Sequence, residues 1–157
     1  MDEVLATCEA LILPQATSKA LSLFRSPSDP SLLVRADREK LQQIVLNLLS
    51  NAIRFTTVGR IEVLCVRASG SFGDSVDIKL TDTGIGIPAN QLNRIFEPFV
   101  QVDSEFTRTR DGTGLGLAIS RDLARGMGGE LTARSTQGVG STFTLCLPML
   151  EASGQSP

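Results

Sequence analysis

The chain opens on a helical spacing of apolar positions. Val4, Leu5, Cys8, Leu11 and Ile12 predict a helix over residues 2–20, which Pro14 kinks or divides. Leu21, Leu23 and Arg25 suggest a short edge strand, residues 26–31 (SPSDPS) a turn, and residues 32–36 a second short strand. Asp37 then reads as the N-cap of a long helix reaching about residue 55, with Leu41, Ile44, Val45, Leu48, Ala52 and Phe55 as its buried face. The period next changes to two. Residues 61–68 and 74–82 predict two strands of a hairpin, with the loop SGSFGD over residues 69–74 between them. In the second strand Val76, Ile78 and Leu80 alternate with Asp77, Lys79 and Thr81, so Asp82 follows in the apolar register. A short helix is expected from Pro88 to about Ile95. Residues 96–111 have no period, and a long aperiodic segment inside a compact domain reads as a lid. Glycine-rich GTGLGLAIS then opens a helix with Leu115, Ile119, Leu123 and Met127 inward, ended by Gly128 and Gly129. Residues 131–134 and 141–147 form a last hairpin around STQGVG, Pro148 terminates it, and a polar tail over 150–157 is expected to be disordered.

Composition narrows the function. The 157 residues, 41% hydrophobic, suffice for one domain with a real core, over residues 1–149. A net charge of −2 argues against nucleic-acid and membrane-surface partners. No apolar run approaches the roughly 18 residues of a membrane span, and the acidic start MDEVLATCEA lacks the basic opening of a secretory signal. Cys8, Cys65 and Cys146 form no CxxC pair and read as buried free thiols of a reducing, cytoplasmic compartment. The sequence contains no histidine. That excludes a histidine base, a histidine zinc ligand and a phosphohistidine within these residues.

Four stretches carry candidate chemistry. In TDTGIGIP, residues 81–88, a carboxylate arrives on the buried face, where it needs hydrogen-bond donors. Gly84 and Gly86 follow, able to admit a flat surface, and Ile85 and Ile87 supply apolar walls. An acceptor in such a slot fits the amino edge of a purine; a strand-to-helix turn capped by Asp82 is the other reading. On the long helix, Asn47, Asn51 and Arg54 share one flank. Amide oxygens suit Mg²⁺ and a guanidinium suits phosphate; a solvated flank is the other reading. Gly112, Gly114 and Gly116 offer free amides at a helix start, an anion site. The sequence has neither GxxxxGK[ST], GxGxxG, nor the VAIK and HRD patterns, so it would bind nucleotide by another architecture.

Taken together, these stretches resemble the catalytic and ATP-binding domain of sensor histidine kinases, within the superfamily that includes gyrase, Hsp90 and MutL. LQQIVLNLLSNAIRFT (41–56) matches the asparagine box and DTGIGIP (82–88) the first glycine box. IFEPFVQVD (95–103) matches the phenylalanine box, GTGLGLAIS (112–120) the second glycine box and GVGSTF (138–143) the last. The resemblance covers about residues 2–149. It implies a Bergerat fold: a two-layer α/β sandwich with a mixed sheet of about five strands, covered on one face by about three helices. It implies ATP and Mg²⁺ as ligands. Asp82 would accept from the adenine amine, Gly84 and Gly86 would seat the base, and Ile87 and Phe99 would wall it. Asn51, with Asn47 beside it, would sit at Mg²⁺. Arg54 stands where the family usually has Lys, and Arg108 in the lid would reach toward the γ-phosphate. Gly112, Thr113, Gly114, Leu115 and Gly116 would hold the phosphates, and Thr142 would offer a hydroxyl to the adenine pocket. Asp111 stands where Gly is common, implying a stiffer lid hinge.

The implied reaction is transfer of the ATP γ-phosphoryl group to a histidine on a separate dimerisation and phosphoacceptor domain, with a response-regulator receiver domain downstream. The parent protein could itself be membrane-anchored. The alternatives are an ATP-hydrolysing member of the superfamily and a regulatory nucleotide-binding module without catalysis. Asn47 weighs against the first, because an amide cannot serve as the general base a Glu provides there.

Overall fold

The computed structural model describes residues 1–70, 73–100 and 114–150. Its elements run α1 (Asp2–Ser18), β1 (Ser22–Arg25), α2 (Arg38–Phe55), β2 (Arg60–Gly70), β3 (Gly73–Asp82), α3 (Ala89–Leu92), α4 (Gly116–Gly126), β4 (Glu130–Thr136) and β5 (Gly140–Pro148). The strands form one sheet in the order β1-β2-β3-β5-β4. β1 is parallel to β2 because α2 crosses between them; the other three pairings are antiparallel.

Strand alternation gives the sheet one buried face. Ile61, Val63 and Cys65 of β2, Val76, Ile78 and Leu80 of β3, and Phe143, Leu145 and Leu147 of β5 are all buried. They share one core with Leu5 and Cys8 of α1 and with Ile44, Val45, Leu48 and Leu49 of α2. The fold is therefore the expected α/β sandwich, with a fourth, very short helix, α3, beside the three long ones. The Asp37 carboxylate caps α2 by accepting from the Lys40 N–H at 3.0 Å. At its other end the Lys19 ammonium donates to the Ile53 carbonyl.

Several local expectations change. α1 runs unbroken through Pro14. The proline removes one donor, while Val4, Leu5, Cys8, Ile12 and Ala16 bury one face on both sides of it and keep the helix whole. Leu11 lies off that face and is exposed. Residues 32–36 form no strand of the sheet; a single bridge joins Val34 to Met149. The first hairpin is longer than its glycine and serine content suggests, since pairing continues to Gly70↔Gly73. The second also extends, to Thr136↔Gly140. Cys8 and Cys65 are buried, but Cys146 is only half-buried. Leu150 is held by its N–H on the Leu33 carbonyl at 2.7 Å, and the rest of the expected tail lies outside the described residues.

The face of α4 also differs. Ala118, Ser120 and Ala124 are buried, Leu117, Leu123 and Met127 pack at the margin of the core, and Ile119 is exposed. Small residues let α4 approach α2 closely, and that choice of face turns Ile119 outward. Among the described residues no helix is long and apolar enough to cross a membrane.

Candidate functional site

Asp82 ends β3, paired with Ile61 on one side and Ser141 on the other. It is 6% exposed. Its carboxylate accepts from the Gly84 N–H at 2.9 Å. Burial pushes the carboxyl above its ordinary value of 3.8, and the nearby backbone amides of Gly84 and Ser141 pull the other way. A carboxylate offers about four acceptor positions, so capacity remains for a donor from outside the chain. That is the property an adenine amine needs.

The glycines beside it serve a purpose the sequence did not disclose. A side chain on Gly84 would collide with the Phe55 carbonyl at the end of α2. Gly86 has φ +70°, and a side chain there would strike the Thr136 carbonyl. The loop 83–88 is thus clamped backbone to backbone between α2 and the β4–β5 hairpin. Hydrogen bonds complete the clamp. The Ile85 N–H donates to Phe55 O at 3.1 Å and the Gly138 N–H to Ile85 O at 2.7 Å. The Ile87 N–H donates to Ser135 Oγ at 2.7 Å. Ile87 itself is half-buried at the exit of the loop.

The expected hydroxyl of Thr142 lies on the other face of the sheet from Asp82. Thr142 pairs with Thr81, and their hydroxyls meet at 3.0 Å. Both belong to the face of the sheet opposite to Phe143, Leu145 and Leu147. Thr142 therefore does not share the side of Asp82. Ser141 does: it is 7% exposed, in the same phase as the core residues of β5. The alternation along β5 carries that face assignment in the sequence.

The opposite end of the site is built on helices. Asn47 and Asn51 are half-buried on α2 and Arg54 is exposed, with its guanidinium 5.9 Å from the Phe55 ring centre. Asn47 is engaged with α4: its amide donates to Ser120 Oγ at 3.0 Å, and its oxygen lies where a side chain on Gly116 would be. Gly116 starts α4, and Leu115 stands at the N-cap position with no side-chain hydrogen bond. The phenylalanine segment returns to the same place. The Phe99 N–H donates to the Gly114 carbonyl at 3.0 Å, and Phe99 is 75% exposed. Phe96 packs edge-on against Phe143, with the Arg121 guanidinium 4.8 Å above its ring. Arg121 in turn pairs with Glu130 at 3.0 Å. The lid expected over residues 97–111, Asp111 at its hinge, and Arg108, Gly112 and Thr113 fall wholly or mostly outside the described residues.

Residues 36–151 match the family described as histidine kinase-, DNA gyrase B-, and HSP90-like ATPase. This chain belongs to that family. Among curated relatives, the sensor histidine kinase RcsC of Escherichia coli (strain K12) is 45% identical over 152 residues, covering 96% of this chain and 16% of RcsC. Among solved structures, full-length ShkA in complex with AMPPNP superposes with a TM-score of 0.80 at 33% identity, covering 96% of this chain and 30% of ShkA. The catalytic domain of histidine kinase ThkA gives 0.77 at 26% identity, covering 94% of this chain and 91% of ThkA. The chain spans 16% of the length of RcsC, and its likeness to ThkA covers nearly a whole catalytic domain. It is an ATP-binding catalytic domain of the histidine-kinase type, and the Bergerat fold is that of its relatives.

Proposed function

We propose that this domain binds Mg-ATP and passes the γ-phosphoryl group to a histidine supplied from outside its 157 residues. The observation that carries the reading is the buried Asp82 carboxylate, which has acceptor capacity left beyond the Gly84 N–H. It would take the purine amine, and the clamped loop 83–88 would wall the base. The phosphates would extend toward Gly114, Leu115 and Gly116, with Arg54, Arg108, Gly112 and Thr113 contributing charge and amides. Mg²⁺ would draw on the Asn51 amide oxygen and would neutralise phosphate charge when bound. Asn47, tied to Ser120, would set the spacing of α2 and α4 beside it. In the transfer, an imidazole nitrogen bonds to the γ-phosphorus while the bond to the bridging oxygen breaks and ADP leaves. The domain's part is positioning and charge stabilisation.

The acceptor histidine would lie on a dimerisation and phosphoacceptor domain, and a receiver domain would take the phosphoryl group next. The setting would be the cytoplasm, in a parent free to be membrane-anchored. Support comes from the absence of histidine in the sequence and from the naming of RcsC as a sensor histidine kinase. ATP hydrolysis is the weaker reading, since Asn47 donates to Ser120 and an amide is no base.

Incubation with γ-labelled ATP and Mg²⁺ tests this. The chain alone should bind nucleotide yet acquire no acid-labile, base-stable label, whereas an added histidine phosphoacceptor domain should be labelled. Self-labelling of that type, or rapid phosphate release with no transfer, would overturn the proposal.

A further inference from the structure

Ser135, on β4, touches three polar atoms. Its Oγ lies 2.7 Å from the Ile87 amide nitrogen, 2.9 Å from the Gly140 carbonyl oxygen and 2.8 Å from Ser141 Oγ. A hydroxyl has one proton and two lone pairs. The Ile87 N–H can only donate and the Gly140 carbonyl can only accept. One assignment alone makes all three contacts attractive. Ser135 gives its proton to Gly140, and accepts from Ile87 and from Ser141. The single proton of Ser141 is then committed to Ser135, and Ser141 Oγ has only lone pairs to offer elsewhere.

Ser141 stands opposite Asp82 on the same buried face. The floor of the purine slot is therefore lined by two acceptors side by side, the Asp82 carboxylate and the Ser141 hydroxyl oxygen. Such a floor is matched by a 6-amino group, which brings two N–H donors, whereas a 6-oxopurine offers one donor, at N1, beside a carbonyl that meets an acceptor.

Resting on the nucleotide reading above, we infer that Ser135 is a positioning residue for base selection: by fixing the direction of the Ser141 proton, it makes the slot select a 6-aminopurine over a 6-oxopurine. It touches no nucleotide itself and acts through Ser141.

The test compares ATP with ITP, which differ at the purine 6-position and in the N1 proton that accompanies it, by calorimetry on the whole chain. The parent should prefer ATP. In Ser135→Ala the Ser141 hydroxyl is free to turn and donate to the 6-carbonyl, so the ATP-to-ITP preference should narrow on the order of fivefold, the worth of about one hydrogen bond. Ser135→Thr keeps the hydroxyl and should retain the preference. In a Ser141→Ala background the Ser135→Ala change should have no effect on the ratio, because its route is gone. A merely structural serine would weaken both nucleotides together and leave the ratio alone, and that result overturns the inference. An equal narrowing with and without the Ser141 hydroxyl overturns it too. Should Ser135→Ala fail to fold, Ser135→Cys, of similar size and with a weaker hydrogen-bonding group, carries the same comparison. A parent that binds neither nucleotide would instead sink the function proposed above.

Discussion

The two ends of the site are made differently. At the end proposed to take the purine, Asp82, Gly84, Gly86, Ile87 and Ser141 sit on strand ends and on a loop fixed by backbone contacts to Phe55 and Thr136. At the end proposed to take the phosphates, Asn47, Asn51 and Arg54 are side chains on one helix flank, and Asn47 meets Ser120 on another helix. A pocket built from backbone fails when one atom is added. A pocket built from side chains loses affinity in portions. The purine end should therefore be brittle and the phosphate end graded.

The sharpest way to break the contrast is Gly86→Ala. At φ +70° the left-handed backbone alone costs about 1–3 kcal/mol for such a residue, and the Thr136 carbonyl occupies the space of the new methyl. Thermal melting should fall by several degrees, and nucleotide binding should go with it. A folded variant with unchanged melting would show that the loop is loose.

Next in size is Asp82→Asn, which trades an acceptor oxygen for a donor. Affinity for ATP should drop at least about tenfold, and the preference over GTP should narrow, as one mismatched buried polar pair dictates. Calorimetry with both nucleotides reads it, with circular dichroism confirming the fold. Unchanged ATP affinity would reduce Asp82 to a turn cap.

At the phosphate end, Asn51→Ala should weaken Mg-ATP by roughly fivefold, and ATP in EDTA much less, because a metal ligand matters only when the metal is there. Equal losses would make Asn51 structural.

The smallest effect is on pH dependence without nucleotide. Burial raises the Asp82 pKa above 3.8. A raised carboxyl adds stability below its unfolded value, and that contribution is lost as pH rises through the folded value. The melting temperature of Asp82→Asn relative to the parent should therefore climb as pH rises from about 3.8. A difference that is flat in pH would mean the carboxyl is not desolvated.

Strong periodicities were legible in the chain. Val76, Ile78 and Leu80 put Asp82 on the buried face because a strand allows only two phases. The Asp37 cap and the apolar stripe of α2 were equally plain. The same logic, applied to Phe143, Leu145 and Leu147, selects Ser141 over Thr142; a motif match obscured it. The face of α4 was hidden because Ala118, Ser120 and Ala124 carry little hydropathy, while Ile119 carries much and is exposed. The clamp on Gly84 and Gly86 was out of reach, since it depends on carbonyls roughly thirty to fifty residues away in sequence. Ser135 was missed for the same reason.

The pairing of β3 with β5 has one more consequence. β2–β3 and β4–β5 are local hairpins, whereas Thr81 and Thr142 meet across 61 residues. Closing that distant seam costs more chain entropy than either hairpin, so it is the natural last step of folding. Asp82 and Ser141 face each other across the same seam. A polypeptide with both hairpins formed but undocked would lack the proposed purine slot. Nucleotide would thus recognise only the finished sheet, and its presence should lengthen the lifetime of the native state and leave the rate of reaching it unchanged.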